Sequence, residues 1–296
     1  MKILITGATG LVGTALSNRL QQTGHTALKL RRSGGASGEP RWNPEAGNVE
    51  LGNMDGVEAV VHLAGENIAA GRWTAARKNR IRDSRTRGTR LLAETLADGE
   101  HKPKVLVSAS AIGFYGDRGD ETLTEESPAG SGYLPEVCQA WEKATGPAEA
   151  AGIRVVHTRI GIVLSRDGGA LRKMLGPFKM GAGGVLGNGK QMMSWVTIDD
   201  VVSMAIFAIE CTSLSGAVNL VSPGAVSNRE FTKALGRIIR RPTVAPMPAF
   251  AARFLFGEMA DALLLASANV VPAKLRDVGF QFRHSAIEEG LRAVLQ

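Results

Sequence analysis

The segment Thr6-Gly7-Ala8-Thr9-Gly10-Leu11-Val12-Gly13 constrains the fold more than any other part of this chain. It follows the apolar run Lys2 to Thr6 and opens a helical pattern from Leu11 to Gln22. A strand that turns through glycines at this spacing directly into a helix gathers free backbone N–H groups at one point. Gly7 permits the tight turn, Gly10 lets a phosphate approach the backbone, and Gly13 lets the helix pack closely on the strand. Gly7, Thr9, Gly10, Leu11, Val12 and Gly13 are therefore expected to hold the pyrophosphate of a dinucleotide at the positive end of the helix dipole.

Four further β-rich runs follow: Thr26 to Leu30, Ala59 to Leu63, Lys104 to Ser108 and Arg154 to Thr158. They are continuous apolar stretches, as strands buried on both faces should be. Helical periodicity recurs from Ser84 to Leu96 and from Val137 to Ala150. The alternation predicts an α/β fold, a Rossmann-type doubly wound parallel sheet. After Arg159 glycine clusters break the pattern, which predicts a smaller C-terminal substrate-side lobe. The expected division is 1–165 for the dinucleotide domain and 166–296 for that lobe, with some later segments returning to the first. Met247 to Ala268 reads as one amphipathic core or lid helix, because Glu258 and Asp261 interrupt its apolar run.

A formal charge of +7 over 296 residues raises the question of nucleic acid. Much of the excess lies between Arg72 and Arg90, where eight Arg or Lys residues face the single acid Asp83. That pattern fits a solvated helix face with an arginine or two turned to a phosphate, and no nucleic-acid motif accompanies it. Cys138 and Cys211 stand too far apart for a disulfide framework or a metal site. The expectation is a cytoplasmic protein, monomeric or homodimeric, that binds a small-molecule substrate and uses neither metal, membrane nor nucleic acid.

The end of the second strand selects the cofactor. NAD sites place an acid there for the ribose 2′-hydroxyl. This chain has no Asp or Glu before Glu39 and ends the strand in Arg31-Arg32-Ser33. Guanidinium groups and a hydroxyl suit a 2′-phosphate, which predicts NADP(H).

Several segments then resemble, in order, the extended short-chain dehydrogenase/reductase family. Thr6 to Gly13 is similar to its TGxxGxxG turn, and His62-Leu63-Ala64-Gly65 to the fourth-strand motif whose backbone follows the adenine and ribose. Ser108-Ala109-Ser110 with Tyr115-Gly116 resembles the region bearing its catalytic hydroxyl. Gly187 to Gln191 with Trp195 to Asp200 resembles its substrate-closing segment. His62 to Asn67, Cys138 with Trp141-Glu142, and the C-terminal PAFAARFLFGEMADALLLAS and GFQFRH are similar to an epimerase-family, YfcH-like branch. The resemblance implies cofactor contacts from Leu63, Ala64, Gly65 and Glu66, from Arg85 on the following helix, and from Val163 beside the nicotinamide.

The family's Tyr-x-x-x-Lys pair has no counterpart. Tyr115 is followed four residues on by Gly119, and Tyr133 by Val137; counting back from Arg159 places the two positions at Cys138 and Glu142. A carboxylate there raises a neighbouring thiol's pKa instead of lowering it. Ser110 matches the hydroxyl that bonds the substrate oxygen, and Tyr115 and Glu142 are the remaining proton-transfer candidates. Met192 follows Gln191 where nucleotide-sugar enzymes carry an arginine, so Met192, Met193, Trp195 and the Phe250 to Phe256 cluster suggest an apolar mouth. The resemblance implies an NADP(H)-binding oxidoreductase or epimerase acting on a small carbonyl or carbinol compound. The alternative is a non-catalytic NADP(H)-binding redox sensor.

Overall fold

The computed structural model describes residues 1–32 and 39–296. Six strands form one parallel sheet: β1 (Lys2–Thr6), β2 (Thr26–Leu30), β3 (Val57–His62), β4 (Val105–Ala111), β5 (Arg154–Ile160) and β6 (Gly216–Leu220). Their spatial order is β2-β1-β3-β4-β5-β6, so the chain reverses direction at β1 and leaves a crevice between the β1 and β3 ends.

Successive side chains point to opposite faces, and both faces are covered. Ile3, Ile5, Val61, Val107 and Val156 pack with Leu16 and Leu20 of α1 (Leu11–Gln22). Leu4, Val60, Leu106 and Val155 pack on the opposite face with Leu92, Ala93 and Leu96 of α2 (Ala75–Asp98). The strand starts at Lys2, Thr26 and Arg154 match expectation.

Three helices depart from the sequence reading. Helix α2 begins at Ala75, not Ser84, because Thr74 Oγ1 caps the Arg77 N–H at 3.2 Å. Its early turns carry too few apolar residues to show periodicity, and only Ile81 is buried before Gly88. Helix α3 (Tyr133–Lys143) stops before Gly146-Pro147, and a separate turn covers Gly146–Ala150. The stretch expected as one helix from Met247 to Ala268 divides into a helix at Ala249–Phe256 and a π-turn at Ala260–Leu265. Gly257, at φ 62°, makes the break.

Beyond β5 the chain leaves the sheet through Ile162–Leu164, which pairs in parallel with Trp195–Thr197. Helix α4 (Gly169–Lys179) lies between these segments, and α5 (Ile198–Glu210) returns to pack beside α1 before β6 completes the sheet. After β6 follow α6 (Asn228–Ile239), α7 (Ala249–Phe256) and α8 (Ile287–Leu295) in the smaller C-terminal part of the chain. Trp195, expected at the cleft mouth, is instead fully buried in the core that α6 and α8 share. Its indole N–H donates to Gly224 O at 2.7 Å, and its ring fills the space a Cβ at Gly290 would occupy. Met193 is buried in the same cluster. Among the described residues no helix is long and apolar enough to cross a membrane.

Candidate active site

The glycine turn is built as its spacing demands. Gly7 has φ 66°, and a Cβ there would lie 2.7 Å from the Leu63 carbonyl carbon. A Cβ on Gly13 would lie 2.2 Å from Gly7 O, so helix and turn close only around hydrogen. Gly10 N–H donates to Gly7 O at 2.9 Å. Gly10 caps α1 with no side-chain hydrogen bond and no acid stands in the first turn, which leaves the N-terminal N–H groups available to an anion. Thr9 and Gly10 are exposed at the tip, with Leu11 and Val12 half-buried behind them.

A buried chain of hydrogen bonds fixes the loop facing this turn. Thr6 Oγ1 accepts from the Leu63 and Ala64 N–H groups at 3.1 and 3.2 Å. With its lone pairs so engaged, its hydrogen goes to His62 Nδ1 at 2.7 Å. His62 Nε2 then donates to Thr89 Oγ1 at 2.9 Å, which also accepts from the Trp141 indole at 2.9 Å. Complete burial pushes the imidazole down to about 4, so this histidine is neutral. Gly65 packs against Arg85, whose Nη1 donates to Glu66 O at 3.1 Å and whose guanidinium lies 4.9 Å from the Trp141 ring. Arg85 thus supports the 63–66 loop from behind.

The register Thr6↔Leu30 places Arg31 one residue beyond the end of β1 and beside the glycine turn. Arg31 and Arg32 are exposed, and the Arg31 backbone is held by bonds to Pro40 and Trp42. Ser33 lies outside the described residues. Val163 sits in the short strand after β5, half-buried; a Cβ on Gly169 would stand 3.5 Å from its carbonyl oxygen and 3.3 Å from Leu11 of the turn.

At the end of β4 the structure joins residues that the sequence reading treated separately. Ser110 Oγ donates to Glu142 Oε1 at 2.6 Å. Both Glu142 oxygens accept from Arg159, Nε and Nη2, each at 2.9 Å. Burial opposes the Arg159 charge, but the hydrogen bonds and charge of Glu142 outweigh it and raise the guanidinium's pKa. Arg159 Nη1 continues to Tyr115 OH at 3.0 Å, and Tyr115 OH donates to Asn219 Oδ1 at 2.7 Å. Tyr115 has no exposed surface, and burial raises its pKa. The Tyr115 hydroxyl is thus enclosed, accepting from Arg159 and donating to Asn219. Cys138, one turn before Glu142, faces Ala111 O, and burial together with Glu142 pushes its thiol up to about 12. Tyr133 donates to Lys78 O at 2.7 Å and packs edge-on against Trp73.

The sequence reading missed Arg159 and Asn219. For Arg159 the signal was present: a charged residue near the end of an otherwise apolar strand buried on both faces requires a partner; the strand that carries Asn219 was not among the predicted runs. The basic run on α2 is largely paired, Arg90 with Glu94 at 2.7 Å, Lys78 with Glu258 at 2.7 Å, and Arg87 with Asp83 at 3.7 Å. Gln191 Nε2 bonds the carbonyls of Leu186 and Leu264, both at 3.1 Å, and so ties residues 186–191 to the π-turn at Ala260–Leu265.

Residues 3–220 match the NAD-dependent epimerase/dehydratase family, and residues 247–294 match a domain of unknown function, DUF1731. The chain is 44% identical over 290 residues to the epimerase family protein Mb2239 of Mycobacterium bovis, covering 98% of this chain and 96% of that protein. The structure of human epimerase family protein SDR39U1 (isoform 2) with NADPH superposes with a TM-score of 0.90 at 29% identity, covering 99% of both chains. A nucleoside-diphosphate sugar epimerase from Corynebacterium glutamicum superposes at 0.82 with 38% identity, covering all of this chain and 58% of that one.

Proposed function

The chain belongs to the NAD-dependent epimerase/dehydratase family, and on that premise we propose that it binds NADP(H) and acts as an oxidoreductase or epimerase on a small carbinol or carbonyl compound. The observation that carries the cofactor choice is the acid-free end of β2, where Arg31 follows the Thr6↔Leu30 pair directly. The human relative solved with NADPH supports the same choice. The turn fits the group: no side chain caps the first N–H groups of α1, no acid stands in its first turn, and Gly7 lets the turn close against the Leu63–Ala64 backbone. Gly7, Thr9, Gly10, Leu11, Val12 and Gly13 would hold the pyrophosphate. Arg31, Arg32 and Ser33 would hold the 2′-phosphate. The backbone of Leu63, Ala64, Gly65 and Glu66, supported by Arg85, would follow the adenosine, and Val163 would flank the nicotinamide.

Bound there, the cofactor supplies a hydride donor or acceptor. Of the chain's own groups, Ser110 and Glu142 stand at the end of β4, where the substrate oxygen of a dehydrogenase is held. Met192 follows Gln191 with no cation, which supports a substrate lacking a nucleotide. Titration of nucleotide-free protein with NADPH and NADH, then a panel of small ketones and secondary alcohols followed at 340 nm, tests the reading. Tight NADPH binding with turnover supports it, and equal affinity for the two nucleotides sinks the cofactor choice.

One observation favours a second reading, a non-catalytic NADP(H)-binding redox sensor. Both tyrosine hydroxyls are bonded inside the protein and neither has a lysine four residues on. Tight NADPH binding without turnover across the panel would select it.

A further inference from the structure

Three side chains at the end of β4 decide in which direction Ser110 can bond a ligand. Its Oγ lies 2.6 Å from Glu142 Oε1, and both Glu142 oxygens already accept from Arg159. A carboxylate held through both oxygens by a guanidinium has no proton to give, so the hydrogen in the serine contact is the serine's own. A hydroxyl has one hydrogen. With it committed to Glu142, Ser110 has only lone pairs left for any ligand that reaches its oxygen. Packing locks the arrangement: Arg159 is 5% exposed, its guanidinium lies 3.4 Å from the Phe114 ring centroid, and Ser110 is 3% exposed.

We infer that Ser110 is a hydrogen-bond acceptor toward the substrate, that Arg159 is the positioning residue which makes it one, and that the site therefore binds the carbinol form of its substrate in preference to the carbonyl form. The inference rests on the reading of this cleft as the substrate site. A carbonyl oxygen carries only lone pairs and would meet those of Ser110, whereas a carbinol O–H completes the bond. The preference belongs in dissociation constants. The ratio of kcat/KM in the two directions is fixed by the reaction's equilibrium and cannot show it.

Neutron diffraction from deuterated crystals of the nucleotide-loaded protein reads the decisive hydrogen directly. The expected map has a deuteron on Ser110 Oγ directed at Glu142 and none on Glu142. A deuteron on Glu142, or one on Ser110 directed into the cleft, overturns the inference. Ligand-observed NMR with cyclohexanol and cyclohexanone supplies the binding readout: the alcohol should bind about fivefold tighter, the worth of one hydrogen bond. Ser110→Ala should abolish that difference while the ring still binds. Glu142→Leu combined with Arg159→Met removes both charges and returns the serine hydrogen to the cleft, so the preference should turn to the ketone. Equal affinities in the wild type, or an unchanged preference in the double variant, overturn the inference. If neither ring binds, the small-substrate reading fails, and the neutron map alone decides the polarity of Ser110.

Discussion

Glu142 and Arg159 meet as a two-pronged ion pair with both contacts at 2.9 Å, joining α3 to the end of β5 where their side chains are 12% and 6% exposed. Removing either partner leaves a buried charge without compensation. Glu142→Ala or Arg159→Ala should each cost about 3–5 kcal/mol of unfolding free energy, and Glu142→Leu with Arg159→Met distinctly less than either. Urea denaturation of the three variants checks this. Single variants no less stable than the double one would show that the pair is exchanging with solvent.

Gly13→Ala should deform the turn at Gly7, because the added Cβ would stand 2.2 Å from a carbonyl oxygen. The neighbouring atoms are backbone and cannot rotate away. NADPH affinity should fall by at least about tenfold, with about 1–3 kcal/mol of stability lost to overpacking. A fluorescence titration that matched the wild type would show that the turn tolerates a methyl group and does not carry the pyrophosphate.

Arg31→Ala tests the cofactor choice by itself. Charge-assisted hydrogen bonds contribute about 1.5–3 kcal/mol, so NADPH binding should weaken by roughly tenfold to a hundredfold. NADH, which has no 2′-phosphate, should be nearly unaffected. A parallel loss for both nucleotides would place Arg31 elsewhere on the cofactor.

His62 makes stability depend on pH. Its folded-state value of about 4 lies below the ordinary 6.5, so the unfolded chain takes up the proton first as pH falls. The contribution is intact above 6.5, declines as pH drops toward 4, and amounts to about 3 kcal/mol once fully lost. Other groups titrate in the same range, so wild type and His62→Gln should be compared at pH 7 and pH 4.5. Equal losses in both proteins would mean that the imidazole is reached by water.

The two cysteines should differ in reactivity. Burial and Glu142 push Cys138 up to about 12, whereas Cys211 is partly exposed beside Ser213. Iodoacetamide at pH 8 should label Cys211 and leave Cys138 untouched until denaturant is added. Labelling of Cys138 in the native protein would reveal an opening of α3 away from β4.

The sequence by itself determined five of the six parallel strands, the glycine turn and the basic end of β2. Each is a local pattern of a few adjacent residues whose backbone needs are the same in any context: apolar runs buried on two faces, glycines at a strand–helix junction, a missing acid at a fixed distance. It also separated Ser110, Glu142 and Tyr115 from the background, but not their states. Whether Tyr115 faces the cleft or Asn219, which way the Ser110 hydrogen points, and whether Glu142 is free or paired depend on residues brought together from β4, α3, β5 and β6. The same holds for Trp195, whose place at the mouth or in the core was settled by Gly290, almost a hundred positions away. Local spacing fixes backbone geometry, whereas protonation, hydrogen-bond direction and burial are set by whichever groups the fold places within 3 Å, and a single sequence does not number those neighbours.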